Sequence, residues 1–472
     1  RKLEKVKQKK AKLLTILLLM IGLNGFSQHK HDIQNTKMSP EQIEKLLIKN
    51  APSEEHAAKF GRMIVQDDGG RMKPINTFSS ELLRRLSKDD TFKGLNSDQV
   101  FLSMIQYRNA WFEIPLINIK RGNDSIRKII GIDKDQKLAP FLAFFDENLN
   151  YKLTPYLEEA YKAQIPTQLQ KDLIDADRDV SVLNSALSGV ILKIFPVPND
   201  PNNKWVSYEE LGRVGLTGRD TIIKQILPVY LMELQRAEST KDYKAADFYL
   251  KGIMKYQKRY GYKVLPSDKK IDSEILYNKY DVFRNLYVLY MIAGVLMLIF
   301  TIVNIFFEKK AIRYVVNGFH ILIAFFFAMH TAGLIARWYI SGHAPWSDAY
   351  ESMIYVAWAT MFFTLAFDRK SKLTVASGTF VASMILMIAH WNWMDPAIAN
   401  LQPVLNSYWL MIHVAVIVAS YGPFTLGMVL GAVSLILMLF VNEKNKTKMD
   451  LHIKEITYIN EMSLTIGLIM LT

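Results

Sequence analysis

The chain has 472 residues, half of them hydrophobic and 12% aromatic, with a formal net charge of +13 and no cysteine. Without cysteine there are no disulfides, zinc–thiolate sites, thiolate nucleophiles or Cys-ligated iron–sulfur clusters, so metal chemistry must rest on His, carboxylates or a bound cofactor. A mean hydropathy just above zero is too apolar for an ordinary soluble chain and too polar for a pure bundle of spans, which implies a membrane part and a soluble part in one polypeptide.

Such a charge would point to nucleic acid if it were spread over a surface. Instead residues 1–12 carry +6, and the short segments 308–313, 368–372 and 442–454 carry +2 each. The excess sits between apolar runs, where it reads as a topology signal. No nucleic-acid partner is expected.

The first element is a short apolar run, 13–26, behind a lysine-rich leader. Residues 1–27 read as a basic leader with a membrane anchor, or as a signal-like segment. The first residue is Arg and the last residues stop inside an apolar run, so the chain reads as a piece of a longer protein.

Residues 28–282 mix polar and apolar positions with turn-rich stretches such as PVPNDPNN. The stretches EQIEKLLI, SSELLRRL, TPYLEEAYKA, PTQLQKDLI and PVYLMELQRA have helical periodicity. This part is expected to be one soluble, mainly α-helical domain.

Residues 283–472 form the membrane part, with apolar runs at 286–307, 314–338, 353–367 and 373–391. The run 408–441 is too long for one upright span and contains Gly422 and Pro423. It reads as a helix over 405–420 and a separate span over 424–441. A further span starts at Ser463. The fold class expected is therefore an α-helical polytopic membrane protein with a large, mainly α extracytoplasmic domain.

Alternate connections differ in charge. EKKAIR, DRKSK and NEKNKTKMDLHIK hold ten basic residues, whereas 339–350 and 392–407 hold none. By the positive-inside rule the first set is cytoplasmic, and the soluble domain, the His343 loop and the WNWMDP loop face outward.

Five of the nine histidines, His320, His330, His343, His390 and His413, belong to the membrane part. Ionisable groups there face a protein interior or a cavity, and for each lone His a hydrogen bond to a neighbouring helix is the plain alternative. Arg337 lies seven residues after His330, on the same helix face. GHAPWSD, HWNWMD and NSYWLMIH put His343, His390 and His413 beside Trp346, Trp391, Trp393 and Trp409. These tryptophans read either as an interfacial belt or as walls for a flat, hydrophobic, metal-bearing ligand such as haem. In the second case imidazole supplies an axial nitrogen and Arg337 could pair with a propionate. His56, in HAAKFGRMIVQDDGGRMKPINT, is either a site residue or part of a turn packed on a helix. His29, His31 and His452 read as bystanders.

RWYISGHAPWSDAYESMIYVAW, followed by LQPVLNSYWLMIHVAVIVASYGPFTLG, resembles the CcsA-type (ResC-type) cytochrome c biogenesis proteins of system II, often fused to a CcsB-type (ResB-type) partner. The resemblance covers roughly 284–472, with Asp348 where the family often has Asn. Residues 56–86 resemble the extracytoplasmic part of the fused forms. The resemblance implies haem b as the transported substrate, presented on the outer face of a bacterial inner membrane and joined by thioethers to apocytochrome c. Further implied partners are the lipid bilayer and a thiol-reducing protein.

His413 matches one outer-face haem axial ligand, hence a ligand of haem iron. His343, Trp346, Arg337 and Trp409 are further candidates for haem contact. The second ligand and the tryptophan-rich WWD segment are expected beyond Thr472, and WNWMDP is not equated with them. Synthase activity is expected of the full-length protein. The competing readings are a haem exporter or binding module without ligase activity, and a structural membrane scaffold.

Overall fold

The computed structural model describes residues 38–472 except 121, 123, 217–220, 308, 368–370, 392–393, 402 and 444–445. The leader and anchor expected over 1–27, together with His29, His31 and Trp393, lie outside the described residues. The chain is mostly helical and divides into two compact units, one built from residues up to 67 and 72–265, the other from 68–71 and 266–472.

In the first unit the five stretches with helical periodicity fall in the helices Pro40–Lys49, Ile75–Ser87, Thr154–Lys162, Gln168–Leu187 and Ile223–Thr240. Local chemistry fixes where several helices begin. Ser39 with Gln42, Asn96 with Gln99, Thr167 with Gln170 and Ser207 with Glu210 each form a capping box. In each, the cap side chain accepts from the N3 amide while the N3 side chain accepts from the cap amide, so two otherwise orphaned donors are satisfied. Among the described residues four two-stranded antiparallel pairs run between the helices, such as Ile64–Gln66 with Met72–Pro74. Phe60, Ile75, Phe101, Trp111, Phe144 and Phe195 lie in one continuous apolar core.

The second unit is a bundle of seven helices among the described residues. They are Asp268–Tyr280, Val282–Phe307, Lys310–Ser341, Ala349–Ala366, Lys372–His390, Tyr408–Leu439 and Lys446–Leu471. Among the described residues four helices are long and apolar enough to cross a membrane: Asp268–Ile305, Lys310–Ser341, Lys372–His390 and Tyr408–Leu439. The expected span at 353–367 is a helix but does not qualify, because Tyr350, Glu351 and Ser352 occupy its first turn. The helix holding Ser463 begins at Lys446 and carries polar residues over its first half.

The expected break at Gly422–Pro423 does not occur, and Tyr408–Leu439 is one continuous helix with Pro423 inside it. Proline removes one amide donor, a loss tolerated in apolar helices when neighbouring helices pack around the site. Both residues are buried, and Gly422 sets the packing distance. A Cβ there would lie 2.8 Å from the Ala359 carbonyl carbon and the Thr360 nitrogen of the neighbouring helix. Gly294 and Gly378 make equivalent close crossings, against Phe380 and Thr364, the small-residue packing typical of helices in lipid. Gly422→Ala should therefore lower stability by about 1–2 kcal/mol through overpacking, seen as a lower midpoint of thermal unfolding in detergent. A variant as stable as the parent would show that the two helices can separate at no cost.

Candidate functional site

Three stretches of the second unit meet at one end of the bundle: the connection 341–348, the connection 391–407 and the first turns of the Tyr408–Leu439 helix. Polar side chains and a small apolar cleft both tie them together. The hub is Arg337, near the end of the Lys310–Ser341 helix, whose side chain is completely buried. Its Nε donates to Glu351 Oε1 at 2.8 Å and its Nη1 to the Pro396 carbonyl at 2.9 Å and the Tyr277 hydroxyl at 3.4 Å. Its Nη2 donates to the Ala397 carbonyl at 3.2 Å, and the Tyr350 ring lies 5.1 Å from the guanidinium.

Glu351 is equally buried. Its second oxygen accepts from the Ser347 hydroxyl at 2.7 Å and the Ser347 amide at 3.0 Å. Asp348 accepts from the Glu351 amide at 2.7 Å and so caps the Ala349–Ala366 helix. A buried ion pair is tolerable when the remaining donors and acceptors are also met, and here each nitrogen of Arg337 and both oxygens of Glu351 have a partner. In this arrangement the guanidinium that the sequence offers to a propionate is met from within the protein. Its donors are engaged by an internal carboxylate and by backbone carbonyls, and it stands inside the protein as a strut.

His343 and Trp346 reach out from the same connection. His343 Nε2 lies 3.1 Å from the Ala399 carbonyl, and its Nδ1 lies 3.2 Å from the Ala344 carbonyl and 3.3 Å from the Ser347 hydroxyl. A neutral imidazole has one N–H, so it bonds one of these two carbonyls and its other nitrogen keeps a lone pair turned into the connection in this arrangement. Trp346 Nε1 donates to the Met411 carbonyl at 3.3 Å. The indole is braced by Trp338 at 5.6 Å and Tyr355 at 4.8 Å, and Tyr355 in turn stacks on Trp358 at 5.7 Å. Trp346 also lines a small apolar cleft with Ala344, Leu401, Leu405, Met411 and Val414.

His413 has the opposite character. It is exposed near the start of its helix, and no described residue hydrogen-bonds to its imidazole. Trp409 is four residues earlier and 78% exposed, so the two side chains share one face of the helix. Of the five candidate residues, these two are the ones the fold presents outward.

The remaining histidines have local partners. His330 is fully buried, with Nε2 3.1 Å from the Ile354 carbonyl of the neighbouring helix. His320 lies 3.1 Å from the Lys372 ammonium, His390 stacks on Tyr287, and His452 Nδ1 is 3.7 Å from Glu455. In the first unit His56 is buried, with Nδ1 2.7 Å from Asp247 and Nε2 2.9 Å from the Tyr230 hydroxyl. Burial pushes the His56 imidazole below its ordinary range, although Asp247 opposes this. Sequence reasoning missed Glu351 and Tyr277 as partners of Arg337. The available signal was that a buried arginine requires a carboxylate, and Asp348 and Glu351 are the acidic residues inside the quoted stretch 337–358.

Comparison with known proteins bears on the same stretch. The cytochrome C assembly protein family matches residues 346–472, which include Trp346, Trp409 and His413. Protein NrfI of Wolinella succinogenes is 37% identical over 423 residues, covering 89% of this chain and 46% of that protein. The cytochrome c biogenesis protein CcsA of Prochlorococcus marinus strain MIT 9215 is 32% identical over 177 residues, 35% of this chain and 54% of the relative. CcsA of Ranunculus macranthus is 32% identical over 149 residues, 28% of this chain and 45% of the relative. The chain spans about half the length of the curated relatives it matches. The C-terminal part of the chain, residues 346–472, thus matches the cytochrome c assembly family, and the chain is similar to its CcsA-type proteins.

Proposed function

We propose that the protein of which this chain is part matures c-type cytochromes, bringing haem b to the outer face of a bacterial inner membrane and assisting its thioether attachment to apocytochrome c. His413 is the axial ligand to the iron in this reading, and Trp409 flanks the macrocycle. The observation that carries it is the exposed, unpartnered imidazole of His413 beside the exposed Trp409, within the stretch matched to the cytochrome c assembly family. Among the described residues no group of three or more His, Asp or Glu side chains could hold a metal ion. An iron met by His413 therefore has to bring most of its ligands with it, as a porphyrin does.

The charge of the connections favours an outward site, because the stretches around His343 and His413 lack Lys and Arg while the alternate connections are basic. The first unit would then be the extracytoplasmic domain. Holding a haem vinyl against an apocytochrome thiol in one water-poor place supplies rate by proximity, and an accessory thiol-reducing protein would keep the acceptor thiols free.

The test is the absorption spectrum of the full-length protein purified from membranes. A Soret band that His413→Gly weakens or shifts, and that added imidazole restores, is expected. An unchanged spectrum and imidazole response would remove His413 from the iron. Thioether product formed from externally supplied haem separates a synthase from an exporter, and no Soret band at all would leave a scaffold.

A further inference from the structure

We infer that Trp346 is a positioning residue for His413, fixing the helix end that carries it; the consequence for haem rests on the reading above. The Tyr408–Leu439 helix begins without a side-chain cap, since Ser407 makes no capping hydrogen bond. The first turn of an uncapped helix frays, because its amides have no intrahelical acceptors, and bonding here starts with the Met411 amide to the Ser407 carbonyl at 3.0 Å. His413 stands in the turn that follows, two residues beyond Met411.

The restraint comes from outside the helix. Trp346 Nε1 donates to the Met411 carbonyl at 3.3 Å. The indole itself is held by rings anchored on two other helices. Trp338 and Tyr355 contact it, and Tyr355 stacks at 8° on Trp358, whose Nε1 donates to Thr331 Oγ1 at 2.9 Å. Around the same bond, Leu401 and Leu405 close an apolar cleft over Met411 and Val414. A polar donor on a braced ring thus reaches the one stretch of helix that its own sequence leaves loose. An axial nitrogen binds iron only from a narrow range of positions, so a frayed turn at 408–413 would weaken the iron bond with no group removed from the iron itself.

Trp346→Phe keeps the ring stack and deletes the donor. In the full-length haem-loaded protein it should raise amide hydrogen exchange over 408–413. Imidazole should displace His413 at a concentration about five- to tenfold lower, the worth of one net hydrogen bond. Adding Ser407→Asp, which supplies the missing cap, should restore both protection and imidazole resistance. Exchange over 408–413 unchanged by Trp346→Phe would overturn the inference, as would restored protection with no recovery of imidazole resistance. If His413→Gly leaves the spectrum untouched, the haem reading fails, and the exchange measurement alone decides whether Trp346 holds the helix end.

Discussion

Arg337→Ala should destabilise the membrane unit by about 3–5 kcal/mol, the largest loss expected of any single substitution in it. That magnitude follows from removing one partner of a fully buried pair and leaving the other charged with nothing to compensate it. Glu351 would keep its bonds to Ser347 but lose Arg337 at 2.8 Å, and the carbonyls of Pro396 and Ala397 would lose their donor. Each buried acceptor left alone adds its own desolvation cost. Arg337→Lys keeps the charge but not the planar fork that reaches a carboxylate and two carbonyls at once, so it should recover only part of the loss. Arg337→Met with Glu351→Leu removes both charges and should be more stable than Arg337→Ala, because no ion is stranded. Thermal unfolding in detergent ranks the four proteins. Arg337→Ala with the parent's midpoint would mean that the buried pair contributes nothing.

That pair also shows what the sequence could and could not disclose. An arginine in an apolar run announces that it needs a partner, but pattern does not say which one. The expected partner was an external carboxylate. The structure supplies an internal one, since the Asp348 cap turns the Ala349–Ala366 helix so that Glu351 faces Arg337. His343 is similar. Its place beside Trp346 suggested a ligand wall, yet the carbonyl of Ala399, distant in sequence, occupies its ring. Interhelical register decides both cases, and periodicity carries no information about register. The helices of the first unit were legible because their signals are local: apolar spacing and capping boxes. Pro423 misled for the same reason in reverse, because the local rule predicts a break while the close crossing at Gly422 surrounds and supports the helix. His413 stands out in the sequence both through the NSYWLMIH cluster and through its family motif.

The first unit should lose stability as pH rises between about 4.5 and 7, and Glu238→Gln should abolish that loss. Glu238 sits on the Ile223–Thr240 helix and is 6% exposed. One of its oxygens accepts from the Tyr107 hydroxyl and from Gln106 Nε2 at 3.2 Å. Its other oxygen has no hydrogen-bond partner among the described residues. Burial pushes the carboxyl up to about 7, although Tyr107, Gln106 and the Lys241 charge all favour the ionised form. In the unfolded chain the same group releases its proton near the ordinary 4.5. Between these values the folded state binds a proton that the unfolded state has lost, so stability falls with rising pH and levels off above 7. The difference corresponds to about 3–3.5 kcal/mol. In Glu238→Gln the amide nitrogen takes the place of the protonated oxygen and cannot ionise, so the variant should exceed the parent in stability at pH 8 and match it near pH 4.5. His56 contributes the opposite slope. Its pKa is lowered by burial, so its contribution is complete above about 6.5 and is lost as pH falls below that. The variant's profile should therefore rise with pH near 6 where the parent's falls. Hydrogen exchange of the Ile223–Thr240 helix in the intact chain, followed from pH 5 to 8, reads both slopes, and parallel profiles for parent and variant would rule out Glu238 as the buried acid.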